Sequence, residues 1–160
     1  MTTNLRLLIA RRRDRQLSGL QAFLELLDQA VCGLSCQIRM IEAETSVWIE
    51  QSLSTYVQQR ITTGTLIRDT ELTWDQVSDR LHKTMGFNKE KERTIYLSHY
   101  EDFLFQLPFA IFVENACKLV ELDGDTVYAV SNDLKWGFGI DMYTSERSNA
   151  IRFTVDTWTH

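Results

Sequence analysis

His99, Tyr100, Glu101 and Asp102 stand in a row, an imidazole and a phenol beside two carboxylates. Such groups could pass protons to and from a substrate if a concave site held them within hydrogen-bond reach of it. Their position argues otherwise. His99 ends a β-branched, aromatic stretch, TIYLSH over Thr94–His99, where a histidine more often faces solvent or a satisfying neighbour. No G-x-S-x-G, glycine-rich phosphate loop or H-E-x-x-H occurs. Asp123-Gly124-Asp125 is too short for a calcium loop, which needs further oxygens and a late Glu, and reads as a turn. Cys32 and Cys36 could share one helix face, but zinc needs two more ligands, and His82, His99 and His160 lie at no ligand spacing. The expectation is that these two and Cys117 are core thiols of a reducing compartment. No catalytic residue, metal or cofactor is assigned, and the chain is expected not to be an enzyme.

A different chemistry is written in Asn132–Tyr143, NDLKWGFGIDMY. At strand period, Trp136, Phe138, Ile140 and Met142 fall on one face, and Lys135, Gly137, Gly139, Asp141 and Tyr143 on the other. The first set is a core face. The second is bare at its centre, and strand glycines often mark the close approach of another group. In Ala150–Trp158 the same alternation sets Ile151, Phe153 and Val155 against Arg152, Thr154, Asp156 and Trp158. A hairpin around Thr144–Asn149 would set the two polar faces side by side. Two outcomes are open: a helix of this chain covers the strip and the glycines permit close packing, or the product is a flat patch of Lys135, Asp141, Tyr143, Arg152, Asp156 and Trp158, mixed in charge and edged by aromatics. That palette suits a protein partner better than a reacting substrate.

The elements that must carry these residues follow from periodicity. Ser18 is a plausible N-cap ahead of Leu20, Phe23, Leu24, Leu27 and Val31, with Gly33 closing the helix. Ile41, Trp48, Ile49, Leu53, Tyr56 and Val57 predict a longer second helix ending before Gly64. The two stripes are expected to pack as a helical hairpin, with Trp48 bridging to a third element. Thr73-Trp74-Asp75-Gln76 is a capping box before Val77, Leu81 and Met85. Pro108 can open a helix that buries Phe109, Phe112, Val113, Cys117 and Val120 and stops at Asp123-Gly124. Helices are thus placed near 18–32, 38–61, 74–85 and 108–122, with strands concentrated after residue 93, including Thr126–Val130. The fold class is α+β, an N-terminal helical segment followed by a small, mainly antiparallel sheet with an inserted helix.

Composition bounds the rest. At 160 residues with one proline and seven glycines, the chain has no linker and reads as one domain, helical over about 1–90 and α/β over about 91–160. Residues 1–40 carry a net charge of +3 and residues 41–160 a net of −8, for −5 in all. An acidic main body argues against nucleic acid, which needs a basic face, and suits a basic protein. The one basic cluster, Arg11-Arg12-Arg13-Asp14-Arg15, is expected to be a solvated helix end near a frayed terminus. Every apolar run is broken within ten positions, so no membrane span is expected. In MTTNLRLLIARRRDR the arginines follow a short apolar run, the reverse of a secretory signal, so the expected compartment is the cytoplasm.

The layout of Thr94–Trp158, and DTVYAVSNDLKWGFGIDMY most of all, a strand-turn-strand with an internal tryptophan, resembles the immunity proteins of bacterial polymorphic-toxin and contact-dependent inhibition systems. The resemblance covers less than half of the chain. It implies a cytoplasmic protein that binds one cognate toxin domain, often a basic nuclease, and blocks its active site. Immunity proteins share no catalytic residues, so it implies none here. Two alternatives stand beside it, a secretion-effector chaperone and a small enzyme of unrecognised type.

Overall fold

The protein is described by a computed structural model covering residues 3–159. Four helices, α1 (Thr3–Ala30), α2 (Ala43–Thr63), α3 (Trp74–Met85) and α4 (Phe109–Asp123), surround one seven-stranded sheet. Its strands are β1 (Arg39–Met40), β2 (Ile67–Leu72), β3 (Glu92–Leu97), β4 (Phe105–Pro108), β5 (Thr126–Val130), β6 (Gly137–Thr144) and β7 (Ile151–Trp158). They lie in the order β1-β4-β3-β5-β6-β7-β2, every pair antiparallel. The α+β architecture is therefore the one the periodicity predicts. Among the described residues no helix is long and apolar enough to cross a membrane.

The two sheet edges come from the half read as helical. β2 carries no alternation because an edge strand pairs on one side only, and its charges are used locally: Arg68 holds Asp156 of β7, and Asp69 holds Arg80 of α3. A register shift between Asp69 and Leu72, with Glu71 at φ 57°, bends this edge, a common way to blunt it against further pairing. The expected helix over 38–61 starts later, at Ala43, because Arg39 and Met40 pair with Gln106 and Phe105 instead.

The helices divide unequally between the faces. Phe23 and Leu27 of α1, Val31 just beyond it, Val77 and Leu81 of α3, and the apolar stripe of α4 pack on one face, against Ile95, Phe105, Val127, Phe138, Ile140, Phe153 and Val155. Ile49, Leu53 and Val57 of α2 pack on the other, with Val130, Leu134 and Trp158. α1 and α2 do pack against each other, but not through the predicted stripes, which serve opposite faces of the sheet. Trp48 is no bridge either; it is 47% exposed on the outer side of α2.

What joins α1 to α2 is Arg12, and here the reading of the arginine cluster needs correction. Ser18 is no N-cap: the helix starts at Thr3, and the Ser18 hydroxyl donates back to the Asp14 carbonyl at 2.9 Å, which lets serine sit mid-helix. Arg12 is consequently inside a long helix and 3% exposed. Its guanidinium donates to Ser46 Oγ at 2.7 Å, to the Glu50 carboxylate and to the Glu101 carbonyl, and lies 2.8 Å from Asp102 Oδ1. Gln16, one turn on, donates to the Asp102 carbonyl at 2.8 Å. Only the neighbours Arg11, Arg13 and Arg15 are exposed.

The glycines of NDLKWGFGIDMY answer a demand for space. Gly137 pairs with Trp158, and a Cβ on it would stand 2.0 Å from the indole. Gly139 pairs with Tyr128 on the opposite neighbour, and its Cβ would meet that ring at 2.2 Å. Two aromatic rings therefore lie flat across strand backbone, filling the space the glycines leave. Trp158 is 1% exposed, and its indole N–H donates to the Leu134 carbonyl at 2.7 Å.

Two outcomes follow from these contacts. Gly137→Ala should lower the melting temperature by roughly 3–10 °C, because the enclosed Trp158 ring cannot yield and overpacking costs about 1–3 kcal/mol. Gly139→Ala should cost less than half as much, since the half-buried Tyr128 ring can swing aside; an equal loss in thermal melts would contradict this packing. Arg12→Ala should cost about 2–3 kcal/mol in denaturant unfolding, less than a fully buried ion pair because Glu50 and Asp102 are 29% and 16% exposed. Arg11→Ala and Arg13→Ala should each stay within about 0.5 kcal/mol.

Candidate protein-binding site

The six residues expected to form a flat exposed patch are distributed otherwise. The β6–β7 hairpin forms with Tyr143 opposite Arg152 and Gly139 opposite Asp156, but α2 lies over one end of its polar face. Trp158 is enclosed there and Asp156 is 4% exposed, its carboxylate held by Arg68 through Nε at 2.6 Å and Nη2 at 2.5 Å. Neither presents itself to solvent. Asp141 is half-buried and accepts from the Thr126 hydroxyl at 2.5 Å. Tyr143 is half-buried too, its hydroxyl accepting from the Glu71 backbone N–H and donating to the Glu71 carboxylate, each at 3.1 Å. Arg152 donates to the Ile151 carbonyl at 3.0 Å, and Lys135 stands exposed in the turn before β6, 3.8 Å from Asp133.

What the structure does open on this face is a cleft of about 340 Å³ between α2 and the sheet. The backbone of α2 stands off the sheet and reaches it through side chains, whereas α4 lies close on the other face. Leu53, Val57 and Ile61 supply one wall, with the exposed Ser54 and Gln58 at the border. Tyr96 of β3 and Tyr128 of β5 supply the other, their ring centroids 6.5 Å apart, beside Arg68, Ser98 and Thr126. Neither phenol hydroxyl has a hydrogen-bond partner among the described residues. Sequence periodicity places both tyrosines on strands, but only the β3–β5 register, Tyr96 opposite Tyr128, brings them together. Arg68 lies on a strand that alternation does not reveal, and its partner Asp156 is 88 positions away.

Burial first, and nearby carboxylates second, act on the two cleft phenols. Burial pushes the Tyr96 phenol up to about 12, and Glu101, Glu50 and Asp123 add to the effect. Tyr128 moves the same way, through burial first and then Asp156 and Asp141. Burial also lifts the Cys117 thiol.

The acid–base row at 99–102 is dispersed. Asp102 is committed to Arg12 and Arg15, and Glu101 offers Arg12 its backbone carbonyl. His99 instead meets Asp123, whose buried carboxylate takes the Ser98 hydroxyl at 2.8 Å and the His99 backbone N–H at 2.9 Å. Serine, histidine and aspartate thus gather, but in the wrong order for nucleophile activation, where the imidazole stands between hydroxyl and carboxylate. Here the hydroxyl donates straight to the carboxylate, locking the turn after β3 to the end of α4. Cys32 and Cys36 are exposed and Cys117 is half-buried, which corrects their reading as core thiols. His160 lies outside the described residues. Among those described, no group of three or more His, Cys, Asp or Glu is placed to hold a metal ion. Comparison with family models, curated proteins and solved structures finds no match to this chain.

The two phenols make a pH signature. An unfolded tyrosine releases its proton near pH ~10, while folded Tyr96 keeps its proton to about 12. Between those values the folded chain binds more protons than the unfolded one, so stability falls as pH rises. The contribution is complete below pH ~10 and is lost as pH climbs through about 12. Tyr96→Phe should flatten this alkaline slope in urea unfolding at pH 9 to 11.5 and remove one late-ionising phenol from the 295 nm titration. An unchanged slope and titration would mean that Tyr96 is not set as described.

Proposed function

We propose that this chain is a non-enzymatic, cytoplasmic immunity protein that binds a cognate bacterial toxin domain, basic in character, and blocks it. The observation that carries the reading is the half-covered sheet face. Five carboxylates, Glu50, Glu101, Asp123, Asp141 and Asp156, act on the two cleft tyrosines, against the guanidinium groups of Arg12 and Arg68. Such a face steers a basic protein toward itself and disfavours an acidic one or a phosphate backbone. The chain's net charge of −5 acts in the same direction.

The test is copurification from the native host, identification of what is retained, and assay of that protein's own activity with and without this chain. The reading expects a basic domain whose toxic activity is abolished at equimolar chain. Association should slow by about tenfold or more between 0.05 and 0.5 M salt, as screening shortens the reach of the acidic face. A partner with net negative charge, retained activity in the complex, or turnover of a substrate by the chain alone would overturn it.

A further inference from the structure

We propose that the cleft between α2 and the sheet receives one cationic side chain, arginine or lysine, presented by the protein partner. This rests on the function proposed above and assigns the point of entry. At about 340 Å³ the cleft lies at the low end of ligand pockets (~300–1,000 Å³), the scale of one long side chain rather than a helix or strand.

Its lining is divided as such a side chain is divided. Leu53, Val57 and Ile61 form an apolar wall suited to a methylene stem, while Tyr96 and Tyr128 offer ring faces and two hydroxyls without internal partners. A guanidinium or ammonium between those rings would gain cation–π attraction and donate to the hydroxyl oxygens. The field agrees, because the five carboxylates outnumber the two guanidinium groups that act on the phenols. The cation already in the cleft does not reverse this. Arg68 is engaged through Nε and Nη2 by both oxygens of Asp156, so its charge is balanced inside the cleft.

The experiment is a ¹H–¹⁵N titration of the full chain with acetyl-Gly-Arg-Gly-amide, beside the otherwise identical citrulline and glutamate peptides. The arginine peptide should shift the amides of Tyr96, Thr126 and Tyr128 saturably. Citrulline, which keeps the shape and loses the charge, should bind at least about tenfold more weakly, and glutamate should not bind there. Ser54→Arg, at an exposed position bordering the cleft, should place a tethered cation in it and abolish these shifts while leaving the melting temperature unchanged. Gln58→Arg serves the same purpose from the next turn should the first variant melt early. Equal binding of arginine and citrulline peptides, tighter binding of glutamate, shifts centred elsewhere, or folded arginine variants that bind undiminished would each overturn the assignment. A basic partner that holds the Ser54→Arg chain at full affinity would sink the cleft and leave the proposed function standing. Saturable arginine binding with no basic partner in the host would do the reverse.

Discussion

Trp158 lies across the backbone of Gly137, and the arrangement of the whole α2 face depends on that contact. The indole is large enough to fill the space over β6, is anchored by its N–H to the Leu134 carbonyl, and presents its outer surface to Ile49, Leu53 and Val57. A tryptophan over a glycine raises the local surface of the sheet, so α2 rests on side chains and not on close backbone contact. Tyr128 repeats the device over Gly139, tilted 59° to Trp158 at 6.2 Å. The helix bears on the tryptophan, and the cleft opens beside the partly buried tyrosines. The cleft is thus the geometric remainder of a two-glycine, two-aromatic motif.

Arg12 fixes the other end of the same arrangement. A buried guanidinium is tolerated where its charge is balanced: Ser46, Glu50 and the Glu101 carbonyl take donors of its two Nη atoms, and Asp102 stands 2.8 Å from Nε as a counter-charge. They come from α2 and from the turn leading to β4, so one side chain ties α1 to two segments far along the chain. The two helices lie against each other around this clamp while each spends its apolar stripe on a different face of the sheet. Such polar clamps specify one arrangement more sharply than apolar contact would, since a shifted partner leaves a charge unpaired.

Local signals in the sequence were faithful wherever one element supplied all the parts. The Thr73–Gln76 capping box, the glycine stops at Gly64 and Gly124, the helix after Pro108 and the alternation in β6 and β7 all depend on neighbours within a few residues. Where the determining partner was distant, the sequence was mute. Ile67–Leu72 reads as polar chain because its charges are satisfied by Asp156 and Arg80, and Ser18 resembles a cap because nothing nearby shows that residues 3–17 are also helical. The arginine cluster looked solvated because the acids that bury Arg12 lie 38 and 90 positions away. For the candidate site, the glycines and the aromatic residues were visible and a covering helix was one expected outcome, but which helix it is, and the cleft it leaves, were not. Period-2 alternation says which residues share a face, and nothing about what lies above it.

That asymmetry bears on what the second face is for. Three helices close one side of the sheet into a continuous apolar core, while the single helix on the other leaves carboxylates, phenols and hydroxyls only partly covered. The polar groups on this side sort into two kinds. Buried Thr94 and Gln106 both bond to the exposed Asn132, and Asp156 is matched at both oxygens by Arg68, so these acceptors are satisfied within the chain. The Tyr96 and Tyr128 hydroxyls have no such partner, and they stand where the field is negative and the wall opposite is apolar. Water can satisfy both, at little cost to fold stability. A cation that displaces this water meets two ring faces, two acceptors and uncompensated charge at once, which makes the cleft a better receptor for arginine or lysine than any other part of this face.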